Sequence, residues 1–309
     1  MDVEDQDEAV AWLTVLVAIG GPIVLLALSA LGWILAGAAL RPVEELRSEA
    51  AAISTSEPSR RLPVPETGDE LQRLAETLNG MLDQLHEALD RERRFVDEAS
   101  HELRTPLGIL KAEVDLALKE PRSRDELESA LRSIAQETER LRRLTQDLLV
   151  LARSDRGRLP VHRTDVDVSS IIGRVAAEFE GRASQEGVRL RVSCSKVRAR
   201  VDADRLRQAV ENLVDNALHH AGRGGRVEVR ADLDGTRLRV VVSDSGSGFP
   251  EDLLGRVFEP FAREDGDREG DEAGLGLAIV RAVAEAHGGS ATARNLEDGG
   301  ASVSLDLPT

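Results

Sequence analysis

The sequence predicts a multidomain protein: a transmembrane helix, amphipathic helices that include an antiparallel helical hairpin, and a C-terminal α/β two-layer sandwich. Three observations predict this class. An uncharged apolar run covers residues 10–40, helical hydrophobic repeats follow as far as residue 151, and helix and strand patterns alternate from about residue 165. A chain of 309 residues has room for about two or three compact units.

The composition is that of folded domains with an acidic surface. Hydrophobic residues make up 41% and charged residues 31% of the chain, which is typical of globular domains. The formal net charge of −16 argues against nucleic acid as a main partner, because a phosphate backbone requires a basic face. Cys194 is the only cysteine, so the chain forms neither an internal disulfide nor a cysteine-rich zinc site.

The N-terminal apolar run predicts a membrane helix. The run from Val10 to Leu40 carries no charge and exceeds the roughly 20 residues that cross a bilayer. A cleaved signal peptide is the alternative, but its leader would be basic and its apolar core shorter. We therefore assign residues 10–36 to a single transmembrane helix and expect Pro22 to kink it. Acidic residues precede this helix and arginines follow it, so residues 1–9 lie outside the inner (plasma) membrane and the C-terminal body is cytoplasmic.

Two helices joined by an extended connector are predicted after the membrane helix. Apolar residues recur every three or four positions after Pro42 and again over residues 69–90, and three prolines lie between these patterns. Such a pair directly after a membrane span resembles a HAMP linker domain, and Pro42 and the Asp-Glu-Leu at residues 69–71 match that family. The resemblance implies a HAMP unit over residues 37–91, which in a dimer would form a parallel four-helix bundle.

A helical hairpin is predicted over residues 92–156. Each helix has an apolar seam with the spacing of coiled-coil packing, and residues 119–124 form the turn. One hairpin cannot bury both seams, so we expect a homodimer whose hairpins form a four-helix bundle. The predicted seam residues are Val96, Ala99, Leu103, Leu107, Leu110, Val114 and Ala117, and then Leu127, Leu131, Ile134, Leu141, Leu144, Leu148 and Leu151.

The first hairpin helix carries a His–Glu pair within the string SHELRTPL. His101 lies two residues past Ala99, about 200° round the helix, and therefore faces away from the seam. Glu102 can accept a proton from one imidazole nitrogen and leave the other free for nucleophilic attack. Pro106 removes one helical hydrogen bond and is expected to bend the helix beside this pair. A solvated charge pair near a helix end is the alternative interpretation.

This eight-residue string resembles the phosphoacceptor box of sensor histidine kinases. The resemblance implies that His101 is the phosphorylated residue and that Glu102 is its general base. Thr105 lies four residues after His101 on the same helix face. By the same resemblance, Thr105 would position a water for dephosphorylation of the response regulator.

From about residue 165 the pattern predicts an α/β domain with two β-hairpins, the first turning at Asp234-Gly235. Neither a Walker loop nor a Rossmann glycine fingerprint is present, so the common nucleotide sites are excluded. Three other clusters follow in order: two asparagines four residues apart on one helix, DSGSGFP after a strand, and the glycine-opened helix AGLGLAIV. Glycines let a backbone approach a ligand, and free N–H groups at a helix start bind phosphate. Each cluster alone also fits an ordinary helix face or turn.

In this order the three clusters resemble the catalytic domain of the same kinases, the GHKL ATPase fold, which we assign to residues 157–309. The resemblance implies ATP and Mg²⁺ as cofactors, with Asn216 and neighbouring Asn212 binding the metal and Asp244 binding the adenine amino group. The Phe-Glu-Pro-Phe motif would hinge a loop over ATP, and the glycines would approach the base and flank the triphosphate. The predicted ATP-binding residues are Asn212, Asn216, His219, Asp244, Gly246, Gly248, Phe258, Phe261, Arg263, Gly274, Leu275, Gly276 and Leu277.

Three features depart from the family pattern. Glu272, in an acidic loop, stands where the family often has a glycine, and acid beside a triphosphate weakens binding unless Mg²⁺ screens it. His219 stands where the family often has a basic residue, so the charge there depends on pH. Most membrane members have two spans around an extracellular sensor, whereas one is predicted here. Either the protein starts further upstream, or a separate membrane partner detects the stimulus, or the stimulus is sensed within the bilayer.

The sequence therefore predicts a membrane-anchored, dimeric protein-histidine kinase that passes a phosphoryl group from His101 to an aspartate of a cytoplasmic response regulator. One alternative is a protein whose main output is phosphatase activity on that regulator, with Thr105 central. A non-catalytic membrane scaffold is the other alternative, and it requires the catalytic clusters to be relics.

Overall fold

The structure is a computed structural model that describes residues 12–14, 16–52, 61–65, 68–119, 123–154, 159–263 and 273–309. Its contacts define two compact units, Met1–Arg93 and Arg94–Thr309. The predicted extracytoplasmic tail and Glu272 lie outside the described residues.

The first unit contains the predicted membrane helix. Within the described residues one helix, Trp12–Gly37, is long and apolar enough to cross a bilayer, and its large apolar side chains are exposed. The turn at Leu16–Gly20 is π-helical and directly precedes helix α1 (Gly21–Ala52). Pro22 lacks the N–H that would bond a carbonyl one turn earlier, and a widened turn accommodates that loss. The helix is thus irregular where the sequence predicts a kink.

The connector packs between α1 and helix α2 (Glu70–Lys119). Leu46 of α1, Leu62 of the connector and Ala75 of α2 form a small buried cluster. Asn79 fastens the connector, because its amide donates to the Leu62 carbonyl at 3.0 Å and its side-chain oxygen accepts from the Leu62 N–H at 2.9 Å. The predicted order of helix, connector and helix is therefore present.

Both helices around this connector are longer than the sequence predicts. Helix α1 continues from the membrane segment through Pro42, and α2 runs without a break past residue 92 and through Pro106. A proline inside a helix removes one hydrogen bond, and the flanking turns can still hold the helical conformation. The sequence patterns did not predict that these helices are continuous with the membrane helix and with the hairpin.

Helices α2 and α3 (Arg124–Ser154) are the two helices of the predicted hairpin. A capping box starts α3: the Glu126 carboxylate accepts from the Ser123 N–H at 2.8 Å, and the Ser123 hydroxyl accepts from the Glu126 N–H at 3.3 Å. Helix α2 ends and α3 begins within residues 119–124, where the turn is predicted.

Of the fourteen predicted seam residues, five are exposed in the single chain, seven are half-buried and two are buried. Leu107 is 56% exposed and Leu131 is 65% exposed. At the end of α3, Leu144, Val150 and Leu151 are buried and join the core of the C-terminal domain. An exposed apolar stripe of this kind marks a surface that another chain covers.

The C-terminal domain contains a mixed five-stranded sheet in the order β2-β4-β5-β7-β6. Strands β2 and β4 are parallel, and the other neighbours are antiparallel. Strands β1 and β3 form a separate antiparallel pair. The elements are β1 (Thr164–Asp167), α4 (Val168–Glu186), β2 (Arg189–Cys194), β3 (Arg198–Val201), α5 (Ala203–Ala221), β4 (Arg226–Asp234), β5 (Arg237–Asp244), α6 (Glu251–Leu254), α7 (Gly276–Ala286), β6 (Ser290–Asn295) and β7 (Ala301–Pro308).

Helices α4, α5 and α7 pack on the sheet and on each other, which confirms the predicted two-layer sandwich. Both predicted β-hairpins are present as β4–β5 and β6–β7, and Gly235 turns the first with a φ of +60°. Strands β1 and β3 and helix α6 are four residues long each. Segments this short show no hydrophobic period, so the sequence does not reveal them.

Two buried polar residues tie the segment after the hairpin to the sandwich. Asp202 accepts from two N–H groups in the first turn of α5, and its second carboxylate oxygen accepts from the His162 N–H at 2.8 Å. His287 Nε2 accepts from the Asp202 N–H at 3.1 Å, while its Nδ1 donates to a carbonyl one turn earlier. Burial lowers the pKa of His287, so the neutral ring that these bonds require is favoured.

A half-buried carboxylate lies where α3 meets α5. Asp147 of α3 accepts a hydrogen bond from the side chain of Gln208 of α5, whose carbonyl oxygen accepts from Arg205 at 3.0 Å. Burial raises the pKa of Asp147 to about 6, and the Gln208 bond and the charge of Arg143 offset only part of that rise. Compared with the unfolded chain, the folded chain therefore favours the protonated carboxyl, which predominates below about pH 6.

We expect Asp147→Asn to raise the free energy of unfolding at pH 8 and to have little effect at pH 4. The folded pKa of about 6 exceeds the unfolded value of 3.8, so the stability that protonation contributes is lost as the pH rises from 3.8 to 6. Removing the charge recovers on the order of 2 kcal/mol above pH 7. Urea unfolding of the full chain in detergent, followed by circular dichroism, measures the change.

Asp115→Asn on α2 is the matched control, because Asp115 is exposed. We expect it to leave the pH dependence unchanged. Equal effects of the two substitutions at pH 8 would contradict the role assigned to burial.

Candidate active site

A cleft opens in the sandwich between α5, the end of β5, α6 and the start of α7. It holds about 780 Å³ including its open mouth, and it brings together the three sequence clusters. Its lining residues are Asn216, His219, His220, Asp244, Gly248, Phe249, Pro250, Leu253, Val257, Ala262, Arg263, Gly274, Leu277 and Ala301. Six predicted residues lie near the cleft without lining it: Asn212, Gly246, Phe258, Phe261, Leu275 and Gly276.

Asp244 ends β5 and is buried, with 8% of its surface exposed. Its Oδ1 accepts from the Gly246 N–H at 2.8 Å and from the Ala301 N–H at 3.3 Å. These two bonds fix the orientation of the carboxylate. Its Oδ2 accepts no hydrogen bond from the described residues, so it is available to an amino group of a ligand in the cleft.

Two predicted positions in the loop after β5 require glycine. A Cβ at Gly246 would overlap the carbonyl oxygen of His220. Gly248 has a φ of +78°, and a Cβ there would lie 2.8 Å from Asn295 Oδ1. The loop therefore packs directly against α5 and β6, and only glycine permits this approach.

Asn295 of β6 fastens the same loop at a second point. Its Nδ2 donates to the Phe249 carbonyl and its Oδ1 accepts from the Phe249 N–H, both at 2.7 Å. Because Phe249 lines the cleft, Asn295 fixes part of its wall. The sequence did not single out Asn295, since it lies 46 residues from Phe249 and belongs to no local motif.

Residues on either side of 264–272 are tied together. The Phe261 N–H donates to the Gly274 carbonyl at 2.9 Å. Gly274 has a φ of +66° and Phe261 has a φ of +62°. Within the described part of the chain, Phe261 is the only residue other than glycine with a positive φ. A bulky side chain rarely adopts this conformation, so surrounding contacts hold Phe261 in it.

Helix α7 begins at the cleft with Gly276, and no side chain caps it. The N–H groups of its first turn lack helical partners and favour an anion. Leu277 lines the cleft, whereas Leu275 is buried in the core. A Cβ at Gly276 would lie 3.4 Å from Asn212 Oδ1, so Asn212 lies beside the start of α7.

Arg263 lines the cleft and contacts the hairpin. Its Nη2 lies 3.9 Å from Glu102 Oε2, and both side chains are 21% exposed. This distance is too long for a hydrogen bond. Nη2 is buried and has no hydrogen-bond partner among the described residues. A buried donor without an acceptor costs about 1–3 kcal/mol, so an anion in the cleft would be bound favourably here.

The predicted catalytic residues lie on α2. His101 and Thr105 are exposed, Glu102 is half-buried and Pro106 is buried. The expected exposure of His101 is thus present, and α2 does not end at Pro106. Of the three catalytic candidates, Glu102 reaches the cleft through its ion pair with Arg263.

A second contact joins α2 to the residues that flank the cleft. The rings of Phe95 and Phe261 have centroids 5.8 Å apart and are tilted by 50°. This tilted arrangement is favourable for aromatic pairs. The sequence did not reveal Phe95, because the contact joins residues far apart in the chain.

The residues of the cleft fit ATP and Mg²⁺. Among the described residues no group of three or more His, Cys, Asp or Glu side chains could hold a metal ion. Mg²⁺ often takes only one or two protein ligands and completes its shell with phosphate oxygens and water, which suits the amide of Asn216. The unpartnered Nη2 of Arg263 can donate to a phosphate, and Asp244 Oδ2 can accept from an amino group.

Three family models match the chain. The HAMP domain model matches residues 34–87, and the His Kinase A (phospho-acceptor) domain model matches residues 91–157. The model of histidine kinase-, DNA gyrase B- and HSP90-like ATPases matches residues 201–309.

Curated relatives align with most of the chain. Sensor protein CutS from Streptomyces coelicolor is 35% identical over 282 residues, which are 90% of this chain and 68% of CutS. The histidine-protein kinase/phosphatase MprB from Mycolicibacterium vanbaalenii is 37% identical over 295 residues, which are 93% of this chain and 60% of MprB. The chain thus spans 68% of the length of one relative and 60% of the other.

Solved structures share the fold. Acinetobacter baumannii histidine kinase AdeS has a TM-score of 0.55 and 23% identity, covering 67% of this chain and 97% of its own. Full-length ShkA in complex with AMPPNP has a TM-score of 0.53 and 27% identity, covering 70% of this chain and 45% of its own.

The fold and the cleft define an ATP-binding domain of the GHKL type joined to a phosphoacceptor hairpin. The chain belongs to the sensor histidine kinases of two-component systems, a family of ATP-dependent protein-histidine kinases. The predicted family and the predicted ATP-binding fold are confirmed.

We expect Asn295→Ala to weaken ATP binding about tenfold, because two hydrogen bonds that fix the cleft wall at Phe249 are lost. Isothermal titration calorimetry with ATP and Mg²⁺ measures the dissociation constant. Thr292→Ala is the control, since Thr292 is exposed on the same strand. Unchanged affinity in Asn295→Ala would show that the loop keeps its conformation without this side chain.

Proposed function

We propose that this chain is a membrane-anchored homodimeric kinase that transfers the γ-phosphoryl group of ATP to His101 and then to an aspartate of a response regulator. One observation carries the proposal. Arg263, which lines the nucleotide cleft, forms an ion pair with Glu102, the neighbour of His101. The cleft and the phosphoacceptor box thus contact each other within one chain.

In the proposed reaction Glu102 accepts a proton from one imidazole nitrogen of His101. The other nitrogen attacks the γ-phosphorus in line, the N–P bond forms, the bridging P–O bond breaks and ADP leaves. The phosphoryl group on His101 then passes to a carboxylate of the regulator. The exposure of His101 supports both steps, because each partner must reach the ring.

The cleft residues would bind and orient ATP. Asp244 accepts from the adenine amino group, while Gly246 and Gly248 let the backbone approach the base. Asn216, with Asn212 beside it, would hold Mg²⁺, which when bound neutralises phosphate charge. The first turn of α7 would bind phosphate oxygens, and its Leu275 and Leu277 anchor that turn.

Partners and location follow from the first 154 residues. The exposed apolar residues along the seam of α2 and α3 support a homodimer, as does the match to the phospho-acceptor domain model. ThkA, which has the same fold at 22% identity, was solved in complex with response regulator TrrA, and we propose a partner of that class. The helix Trp12–Gly37 supports a single-pass anchor in the inner (plasma) membrane with a cytoplasmic kinase body.

The predicted domain boundaries remain part of the proposal. We propose a membrane helix over residues 10–36, a HAMP unit over 37–91, a hairpin over 92–156 and a catalytic domain over 157–309. The family-model matches at 34–87, 91–157 and 201–309 support this order.

We expect His101→Gln to abolish phosphorylation of the chain and to change the dissociation constant of ATP less than about twofold, since the ring is outside the cleft lining. The full chain in detergent is incubated with γ-labelled ATP and Mg²⁺. An acid-labile, alkali-stable label that disappears in His101→Gln is the expected result. His86→Gln, which changes another histidine of α2, should keep the label. Loss of ATP binding together with the label would contradict this division of roles.

A phosphatase-dominant protein is the second candidate function. MprB, at 37% identity, is described as a kinase/phosphatase, and Thr105 is exposed one turn after His101. This candidate differs from the first only in the balance of the two activities.

If Thr105 positions the hydrolytic water, Thr105→Ala should slow dephosphorylation of a phosphorylated regulator at least about tenfold while His101 is still labelled. Release of phosphate from the purified regulator measures the rate. Thr138→Ala on α3 is the control, because its hydroxyl bonds only its own helix carbonyl. Equal rates for Thr105→Ala and the unmodified chain would remove Thr105 from the phosphatase reaction.

A further inference from the structure

Arg263 stands between two positions for negative charge. On one side is the carboxylate of Glu102, 3.9 Å from Nη2, and on the other is the nucleotide cleft that Arg263 lines. Neither position gives Nη2 a hydrogen bond within the described residues. Glu102 therefore attracts Nη2 by charge but does not satisfy it with a hydrogen bond.

The chain just before Arg263 is held by contacts, so we assign a change of partner to the Arg263 side chain. The Phe261 N–H donates a hydrogen bond to the Gly274 carbonyl, and the Phe261 ring packs on Phe95 of α2. A Cβ at Gly274 would lie 3.1 Å from Arg263 Cγ, so the stem of the side chain packs against that glycine. Rotation about the outer bonds of the stem moves the guanidinium between Glu102 and the cleft.

A triphosphate is a stronger partner for this guanidinium than Glu102 is. It carries more negative charge than one carboxylate and offers several oxygens for bidentate hydrogen bonds. Both side chains are only 21% exposed, so the charges are screened less than at an open surface.

We propose that Glu102 and the phosphates of ATP compete for Arg263, which makes Arg263 a positioning residue that couples occupancy of the cleft to release of the base. Without nucleotide, Arg263 holds Glu102 in an ion pair. When a triphosphate binds, Arg263 turns to it, and Glu102 is free to accept the proton of His101. This inference rests on the proposed kinase function and deepens it.

If Glu102 competes with ATP for Arg263, Glu102→Gln should tighten ATP binding. A Glu102 that acted only as the base for His101 would not have this effect. We expect the dissociation constant to fall about two- to fivefold, the range of a partly exposed ion pair. Calorimetry with ATP and Mg²⁺ is performed on the full chain in detergent, with His101→Gln in every variant so that no phosphoryl transfer occurs. Adenosine, which lacks phosphates, should bind all variants equally and reports an intact cleft.

A double-mutant cycle separates competition from a general charge effect. Arg263→Gln should weaken ATP binding, and adding Glu102→Gln to it should cause no further change. Glu98→Gln removes an exposed carboxylate one turn earlier on α2 and should leave the affinity for ATP unchanged. Because coupling is reciprocal, the factor by which Glu102→Gln tightens ATP binding equals the factor by which bound ATP weakens the Glu102–Arg263 ion pair.

The outcomes are distinct. Unchanged or weaker ATP binding in Glu102→Gln would overturn the coupling, and so would tightening that persists in the Arg263→Gln chain. Adenosine and ATP binding with equal affinity to the parent chain would also overturn it, because Arg263 would then contact no phosphate. A parent chain that binds neither ligand would overturn the proposed function itself.

Discussion

The burial of one end of α3 in the core of the ATP-binding domain is the contact on which the candidate site depends. Leu144, Val150 and Leu151 share a continuous hydrophobic cluster with the helices that cover the sheet. This contact holds the phosphoacceptor hairpin against the domain that carries the cleft. The contacts of Glu102 with Arg263 and of Phe95 with Phe261 add a second connection, from α2 to the residues that flank the cleft.

Local features of the fold were predictable because each has a short period or a fixed turn. The stripe of α5, the turn at Gly235 and the glycines after β5 all follow from spacing within about ten residues. Features made by long-range contacts were not. Asn295 and Phe95 act on residues far away in the chain, and only the folded structure shows what they touch.

Helix lengths were the part of the fold that local signals misjudged. Pro106 is a possible helix end, and the pattern after Pro42 was interpreted as a new helix, yet α1 and α2 continue through these prolines. A proline lacks one donor, and the neighbouring turns of a long helix contribute enough hydrogen bonds to tolerate that loss. Pro22 also lacks a backbone donor, and there the turn that precedes it is π-helical instead of α-helical.

The contact between the hairpin and the ATP-binding domain combines apolar and polar side chains. Leu151 and its neighbours belong to the hydrophobic core, whereas Asp147 and Glu102 contribute carboxylates. Burial raises the pKa of Asp147 to about 6, and Arg263 Nη2 donates no hydrogen bond to Glu102. Apolar burial orients the two parts, while the incompletely satisfied polar groups limit how strongly they are held. Such a contact suits the proposed function, in which the ATP-binding domain approaches His101 and then leaves it accessible to a regulator.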